Sequence, residues 1–232
     1  MKQHRITSWQ DVIKRLPESI YSFCRRYLIL ALPTKANLKI WNCSETNICS
    51  LCENKAETLH HIVSNCQVAA DDTRYTWRHN SVLFTIISFI ESININCELY
   101  ADINGYNSTC LLFNTTRPDI VIKIDNVYHM IELTVCFETN LFKSHDFKMN
   151  KYRNIKLDAV NKNIDFVLYG VDFSCLGFTS ENLTKFTRFL RSKHIEPGRL
   201  ISKCAEVCCR ASYYIFNRRG KPWTNPEILK FT

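Results

Sequence analysis

An α/β (α+β) fold, with a mixed sheet flanked by helices and preceded by a helical segment and a small cysteine-rich module, is what this sequence predicts. Three observations carry the expectation. Residues 9–41 and 72–93 repeat apolar residues at helical spacing. Residues 43–66 shift to cysteine, histidine and small polar residues. From residue 117 onward, strand-like and helix-like patterns follow in the order β-β-α-β-α-α.

The first segment places Val12, Ile13 and Leu16, then Ile20, Phe23, Tyr27 and Leu30, on helical faces. Pro17 breaks it and Pro33 stops it, so two helices and a short connector, LPTKANLKIW, are expected. A third helix follows over 72–93, with Trp77, Val82, Phe84, Ile87 and Ile90 among its apolar positions. Residues 94–116 are rich in Asn, Ser, Thr and Gly and read as loop or short irregular strands. IVIKI (120–124) and VYHMIELTV (127–135) are β-branched runs joined by Asp125-Asn126, a pair suited to a tight hairpin. A basic helix over 143–161, a buried strand over 164–171 and two helices over 179–217, separated at Pro197-Gly198, complete the chain.

Composition narrows the function class. The 232 residues are 46% hydrophobic and 12% aromatic, which excludes a disordered chain and permits one sizeable core plus an accessory module. The formal net charge of +8 favours an anionic partner such as nucleic acid. The N-terminal residues lack a signal-peptide core, and VLFTIISFI (82–90) is too short to span a bilayer, so an intracellular, soluble protein with no membrane partner is expected. In a reducing compartment the twelve cysteines read as buried thiols or metal ligands rather than disulfides.

Cys49, Cys52, His61 and Cys66 have the spacing of a structural zinc site. The close cysteine pair holds one side of a tetrahedral ion from a tight turn, and the histidine and last cysteine close the other. Four ligands of this softness suit Zn²⁺ with no open position. His60 is the rival to His61. Cys204, Cys208 and Cys209, with His194 upstream, read instead as small buried thiols on a helix.

Asp119 and Glu132 head and close the two β-branched runs, and carboxylates on adjacent strands can meet at one cation. A metal-dependent nuclease needs such ligands and a cation beside the scissile phosphate. Thr134 stands where a compact Glu-x-Lys would place its lysine. Lys148 or Lys151, one turn apart on the basic helix with Tyr152 beside them, can supply that charge instead.

The ordered combination CSLC, ETLHHI and Cys66, then RHN (78–80), RPDI, IELTVCFETN and KMNKY, resembles the C-terminal region of non-LTR retrotransposon polyproteins. LPTKANLKIW and YYIFNRRGKPWTNP extend the resemblance over most of the chain. In those polyproteins a zinc knuckle and a restriction-like endonuclease of the PD-(D/E)xK type follow the reverse transcriptase. The resemblance implies a helical connector over 1–42, a CCHC knuckle over 43–70 and a restriction-endonuclease-like domain with C-terminal helices over 71–232.

Carried over by position, Asp119 and Glu132 are the ligands of a catalytic Mg²⁺ or Mn²⁺, with Glu138 a further carboxylate nearby. Lys148 or Lys151 is the displaced catalytic lysine. The implied activity is nicking of target DNA in the nucleus to prime reverse transcription. The implied partners are DNA, with element RNA second, and the reverse transcriptase domain of the parent polyprotein. No polymerase motif is visible in this chain. Arg78, His79, Lys148, Lys151 and Arg153 are the expected DNA contacts, with Lys156 and a patch of Arg218, Arg219 and Lys221 adding backbone attraction. The competing readings are a catalytically inactive, zinc-containing nucleic-acid-binding remnant of such an element and a protein-interaction domain.

Overall fold

The computed structural model describes residues 8–93, 96–109, 112, 117–152, 155, 165–224 and 226–229. Its N-terminal part contains α1 (Trp9–Ile13), α2 (Glu18–Leu28) and α3 (Lys35–Ile40). Local chemistry sets these boundaries. Ser8 and Asp11 form a reciprocal capping box at α1. Pro17 separates α1 from α2, and the Thr34 hydroxyl accepts from the Asn37 amide at 3.1 Å to open α3. The predicted connector LPTKANLKIW therefore contains a helix of its own.

A π-type turn (His61–Asn65) leads into α4 (Gln67–Asp71) and the long α5 (Arg74–Ser92). Four strands follow: β1 (Glu98–Ala101), β2 (Ile120–Ile124), β3 (Val127–Cys136) and β4 (Phe166–Ser174). The sheet order is β1-β2-β3-β4, antiparallel across the first two pairs and parallel between β3 and β4. The order is the mixed sheet flanked by helices that the sequence predicts. Asp125 and Asn126 adopt φ of 49° and 64°, the left-handed pair that a two-residue hairpin requires. β1, a four-residue edge strand, lies inside the polar stretch read as loop or short irregular strands.

The crossover from β3 to β4 passes through α6 (Leu141–Lys151), and α7 (Leu183–Ser192) and α8 (Pro197–Asn217) close the chain. Most of 152–161, predicted to continue the basic helix, lies outside the described residues. So do Arg153 and Lys156. Pro197 occupies the first turn of α8, where its missing N–H is harmless, and the Glu196 carboxylate accepts from the Gly198 amide at 3.3 Å. Among the described residues, no helix is long and apolar enough to cross a membrane.

The two faces of the sheet differ in chemistry. Ile120, Ile122, Ile131, Leu133, Val171 and Phe173 turn one face into the main core, against α5, α7 and α8. The alternate residues turn toward α6 and include Val121 and Met130, but also buried Glu132, Thr134 and Asp172. A second apolar cluster joins α1 and α2 (Ile13, Phe23, Tyr27) to Leu59, Ile62 and Val63 of the cysteine-rich segment and to Cys209 and Phe216 of α8. Cys204, Cys208 and Cys209 are fully buried in these two clusters, where burial pushes each thiol up; for Cys209 a hydrogen bond with Cys24 is the larger cause. They act as small apolar side chains.

Candidate functional site: a Cys3His cluster and a buried Asp-Glu-Lys centre

The thiols of Cys49, Cys52 and Cys66 and a ring nitrogen of His61 all lie within 4.8 Å of one another. Cys49, His61 and Cys66 are buried, and Cys52 Sγ lies 3.3 Å from His61 Nε2. The Leu51 amide points at Cys49 Sγ at 3.4 Å. Burial, then Lys55, lowers the His61 pKa and keeps its ring neutral. Burial opposes the Cys52 thiolate, but the Asn54 and Lys55 amides, together with Cys49 and Cys66, outweigh it and lower that thiol. Neutral imidazole and thiolate are the forms that bind metal, and at Cys66 burial works the other way, pushing the thiol up to about 11. These four residues fit a tetrahedral structural zinc ion in number, type and mutual reach. The rival His60 is spent elsewhere, with its ring 4.6 Å from that of Phe137.

The backbone between His61 and Cys66 would leave carbonyls without helical partners, and α5 supplies them. The Tyr75 hydroxyl lies 3.2 Å and 3.0 Å from the His61 and Ile62 carbonyls and accepts from the Cys66 amide at 3.1 Å. Arg78 donates to the Val63 carbonyl at 2.9 Å and to Ser212 at 3.3 Å. Arg78 is only 1% exposed, which corrects the expectation that it faces DNA. A buried guanidinium with five donors is better suited to orphan carbonyls of a turn than to an outside phosphate. Arg219 is likewise tied down, donating to Glu57 at 3.2 Å and to the Pro33 carbonyl at 3.1 Å.

The second constellation forms where β2 begins. Ile120 pairs with Ile131, so Asp119 stands level with Glu132 on the neighbouring strand. Glu132 is therefore in the middle of β3 rather than at a strand end. The Asp119 amide donates to Glu132 Oε2 at 3.3 Å, and Asp119 Oδ2 accepts from the Leu133 amide at 2.7 Å. From α6, Lys148 Nζ reaches Asp119 Oδ2 at 3.2 Å, Glu132 Oε1 at 3.0 Å and the Leu133 carbonyl. Tyr152 donates to Glu132 Oε2 at 2.7 Å. His79 Nε2 comes from α5 to within 3.4 Å of Asp119 Oδ2 and 3.2 Å of the Leu133 carbonyl.

This clustering separates the two acids electrostatically. Burial alone would raise the Asp119 pKa, but His79, Lys148 and the Leu133 amide outweigh it and hold the pKa at about 2. Burial, then the Asp119 charge, raises Glu132. Burial opposes the Lys148 cation, yet the two carboxylates more than offset it and raise its pKa, and Asp119 does the same for His79. Burial, then Glu132, pushes the Tyr152 phenol far up, so it keeps its proton and can donate it to Glu132. The centre thus holds an anionic Asp119, a Glu132 with increased proton affinity and a retained ammonium.

Of the two lysines in play, Lys148 points into this centre. Lys151 Nζ instead lies 5.0 Å above the Tyr152 ring and 3.3 Å from its hydroxyl. Glu138 lies beyond the end of β3, where its oxygens accept from the Tyr27 hydroxyl at 2.8 Å and the Leu176 amide at 3.2 Å. It belongs to the N-terminal packing rather than to the acidic pair, correcting its expected place as a nearby carboxylate. Thr134 is buried beside Asp172 in register.

His145, Gly170 and Asp172 were not singled out by sequence reading. Only Leu141 of α6 is buried, so the helix does not dock on the sheet through an apolar stripe. His145 Nδ1 lies 2.8 Å from the buried Asp172 Oδ2, which also accepts from Ser180 at 2.8 Å and Asn182 at 3.3 Å. Gly170, paired with Glu132 across the strands, makes room for the imidazole: a Cβ there would meet His145 Cε1 at 2.3 Å and Nδ1 at 2.7 Å. Gly170→Ala is expected to displace His145 and cost about 1–3 kcal/mol, the range of overpacking. Urea unfolding checks it; an unchanged midpoint would show that α6 docks without this contact.

No curated protein matches the chain. Residues 1–72, which carry all four members of the Cys3His cluster, match the family described as zinc-binding in reverse transcriptase.

Proposed function

We propose that this chain is the metal-dependent endonuclease region of a non-LTR retrotransposon protein, nicking target DNA so that reverse transcription can start from the break. The observation that carries the reading is the meeting of Asp119 and Glu132 at one ammonium, that of Lys148, with both carboxylates within 3.2 Å of it. Two oxygens so placed cannot be as far apart as roughly 8 Å, beyond which one ion could not be shared. The Cys3His cluster and the reverse-transcriptase family match give the same chain a retroelement context. The reading divides it into a connector (1–42), a knuckle (43–70) and the nuclease (71–232), and places its work in the nucleus, where target DNA is.

Asp119 and Glu132 fit a hard divalent cation in donor type. Bound there, Mg²⁺ or Mn²⁺ would lower the pKa of an attacking water and neutralise phosphate charge. The protein's own groups do the rest. Tyr152 orients one Glu132 oxygen, leaving the other toward Lys148. His79 and the Leu133 amide fix Asp119. Lys148 keeps its proton and can turn to the charge that develops on the phosphate, where a preplaced cation is most effective. His79, whose side chain is 22% exposed, is a proposed DNA contact, as is Arg153, and the element RNA is a proposed partner.

The test is incubation of the purified chain with supercoiled plasmid and Mg²⁺ or Mn²⁺. Open-circular product that depends on the ion is expected. Its absence with every divalent ion, while DNA still binds, would favour the inactive nucleic-acid-binding reading.

A further inference from the structure

We propose that the solvent-facing flank of α6 is a contact for single-stranded DNA, in which Phe147 stacks on an unpaired base while Lys143 and Lys151 hold the phosphates on either side. Phe147 is 75% exposed, the most exposed large apolar side chain among the described residues. Lys143 and Lys151 are also exposed, one position of the helix before and after it at four-residue spacing. At 1.5 Å per residue the two cations are about 12 Å apart along the axis with the ring midway. A phenyl ring in water is unfavourable unless something covers it, and cations on both sides make an anionic partner with flat apolar faces the complementary one.

Single-stranded DNA has that combination, since its base faces are open and its phosphates flank them. Duplex DNA hides the base faces in the stack. The direction of the stripe is informative too. Leu141, His145, Lys148 and Tyr152 turn toward the sheet and the acidic pair. Residues four apart drift about 40° around a helix, so Lys143, Phe147 and Lys151 wind toward the Lys148 side, with Lys151 about 60° from it. A strand lying along this flank runs toward Asp119 and Glu132. That placement beside the scissile phosphate rests on the endonuclease reading, whereas the stacking contact itself does not.

The test uses the full chain with Ca²⁺ in place of Mg²⁺ and fluorescent oligonucleotides of DNA, single-stranded and duplex, and of RNA. Phe147→Ala is expected to weaken single-stranded DNA binding about tenfold, with duplex binding changed far less. Phe147→Trp should restore affinity and show fluorescence quenching beyond that of the native tryptophans. Lys143→Ala and Lys151→Ala should each flatten the salt dependence by about 0.7 in log–log slope. Lys143 and Phe147 are exposed, so their variants should melt at the wild-type value, whereas Lys151→Ala gives up its contact with Tyr152 and should melt slightly lower.

Unchanged single-stranded binding by Phe147→Ala, no added quenching from Phe147→Trp, or binding confined to RNA would overturn the proposal. The two readings separate cleanly. Wild-type nicking with unchanged Phe147→Ala binding removes the stacking contact and leaves the nuclease, whereas a tenfold binding loss without nicking does the reverse.

Discussion

Asp119→Ala should reduce plasmid nicking to the detection limit while leaving DNA affinity close to wild type. Asp119 is one of two carboxylates within reach of a shared cation, and its removal disables chemistry without touching exposed basic groups. Glu132→Gln should act in the same way and keeps the shape of the buried site, where Glu132 is 2% exposed. Lys148→Ala is expected to lower the rate by about 10²–10³-fold, the range for loss of one preplaced transition-state donor. Lys151→Ala should leave the chemical step unchanged, because its ammonium rests on Tyr152. Single-turnover nicking with saturating enzyme separates these effects from binding. Equal nicking by wild type and Asp119→Ala would remove the acidic pair from the mechanism.

The second large effect concerns zinc. The purified chain should carry about one Zn²⁺, and Cys49→Ser and His61→Ala should each lose it. His60→Ala should retain it, because His60 packs on Phe137 outside the cluster. Structural zinc contributes apparent binding energies of about 10–16 kcal/mol in small fingers, comparable to the whole stability of a domain. The effect should spread beyond the cysteine-rich segment, because Leu59, Ile62 and Val63 share a core with α1, α2 and α8. Metal analysis and hydrogen exchange at α2 and α8 check both parts. Full zinc in Cys49→Ser and His61→Ala would show the assignment to be wrong, and stable α2 and α8 after zinc removal would show that the shared core stands alone.

Several features were legible in the sequence because their causes are local. Asp125-Asn126 can adopt the left-handed conformations of a tight hairpin, and alternating β-branched residues set the strands on either side. Pro17 and Pro197 mark helix boundaries for the same kind of reason. The members of the Cys3His cluster are close in sequence, and soft donors at short spacing have few other uses. Asp119 and Glu132 could be paired because one hairpin separates them, so the register follows from the turn.

Other features were decided only by elements distant in the chain. β1 has four residues and a polar setting, and it becomes a strand by pairing with β2. That His61 rather than His60 meets the three thiols, and that Lys148 rather than Lys151 meets Asp119 and Glu132, depends on how distant segments pack. Arg78 looks like a phosphate contact from its charge, but burial against Val63 and Ser212 gives it a structural role. His145, Gly170 and Asp172 carry no joint pattern along the sequence, since an imidazole over a glycine is defined by the packing of a helix on a sheet. Sequence alone determined which chemical groups this protein has and which short turns bring neighbours together. Tertiary structure decided which charges are buried, because burial depends on what covers a side chain, and the covering segments here lie tens of residues away.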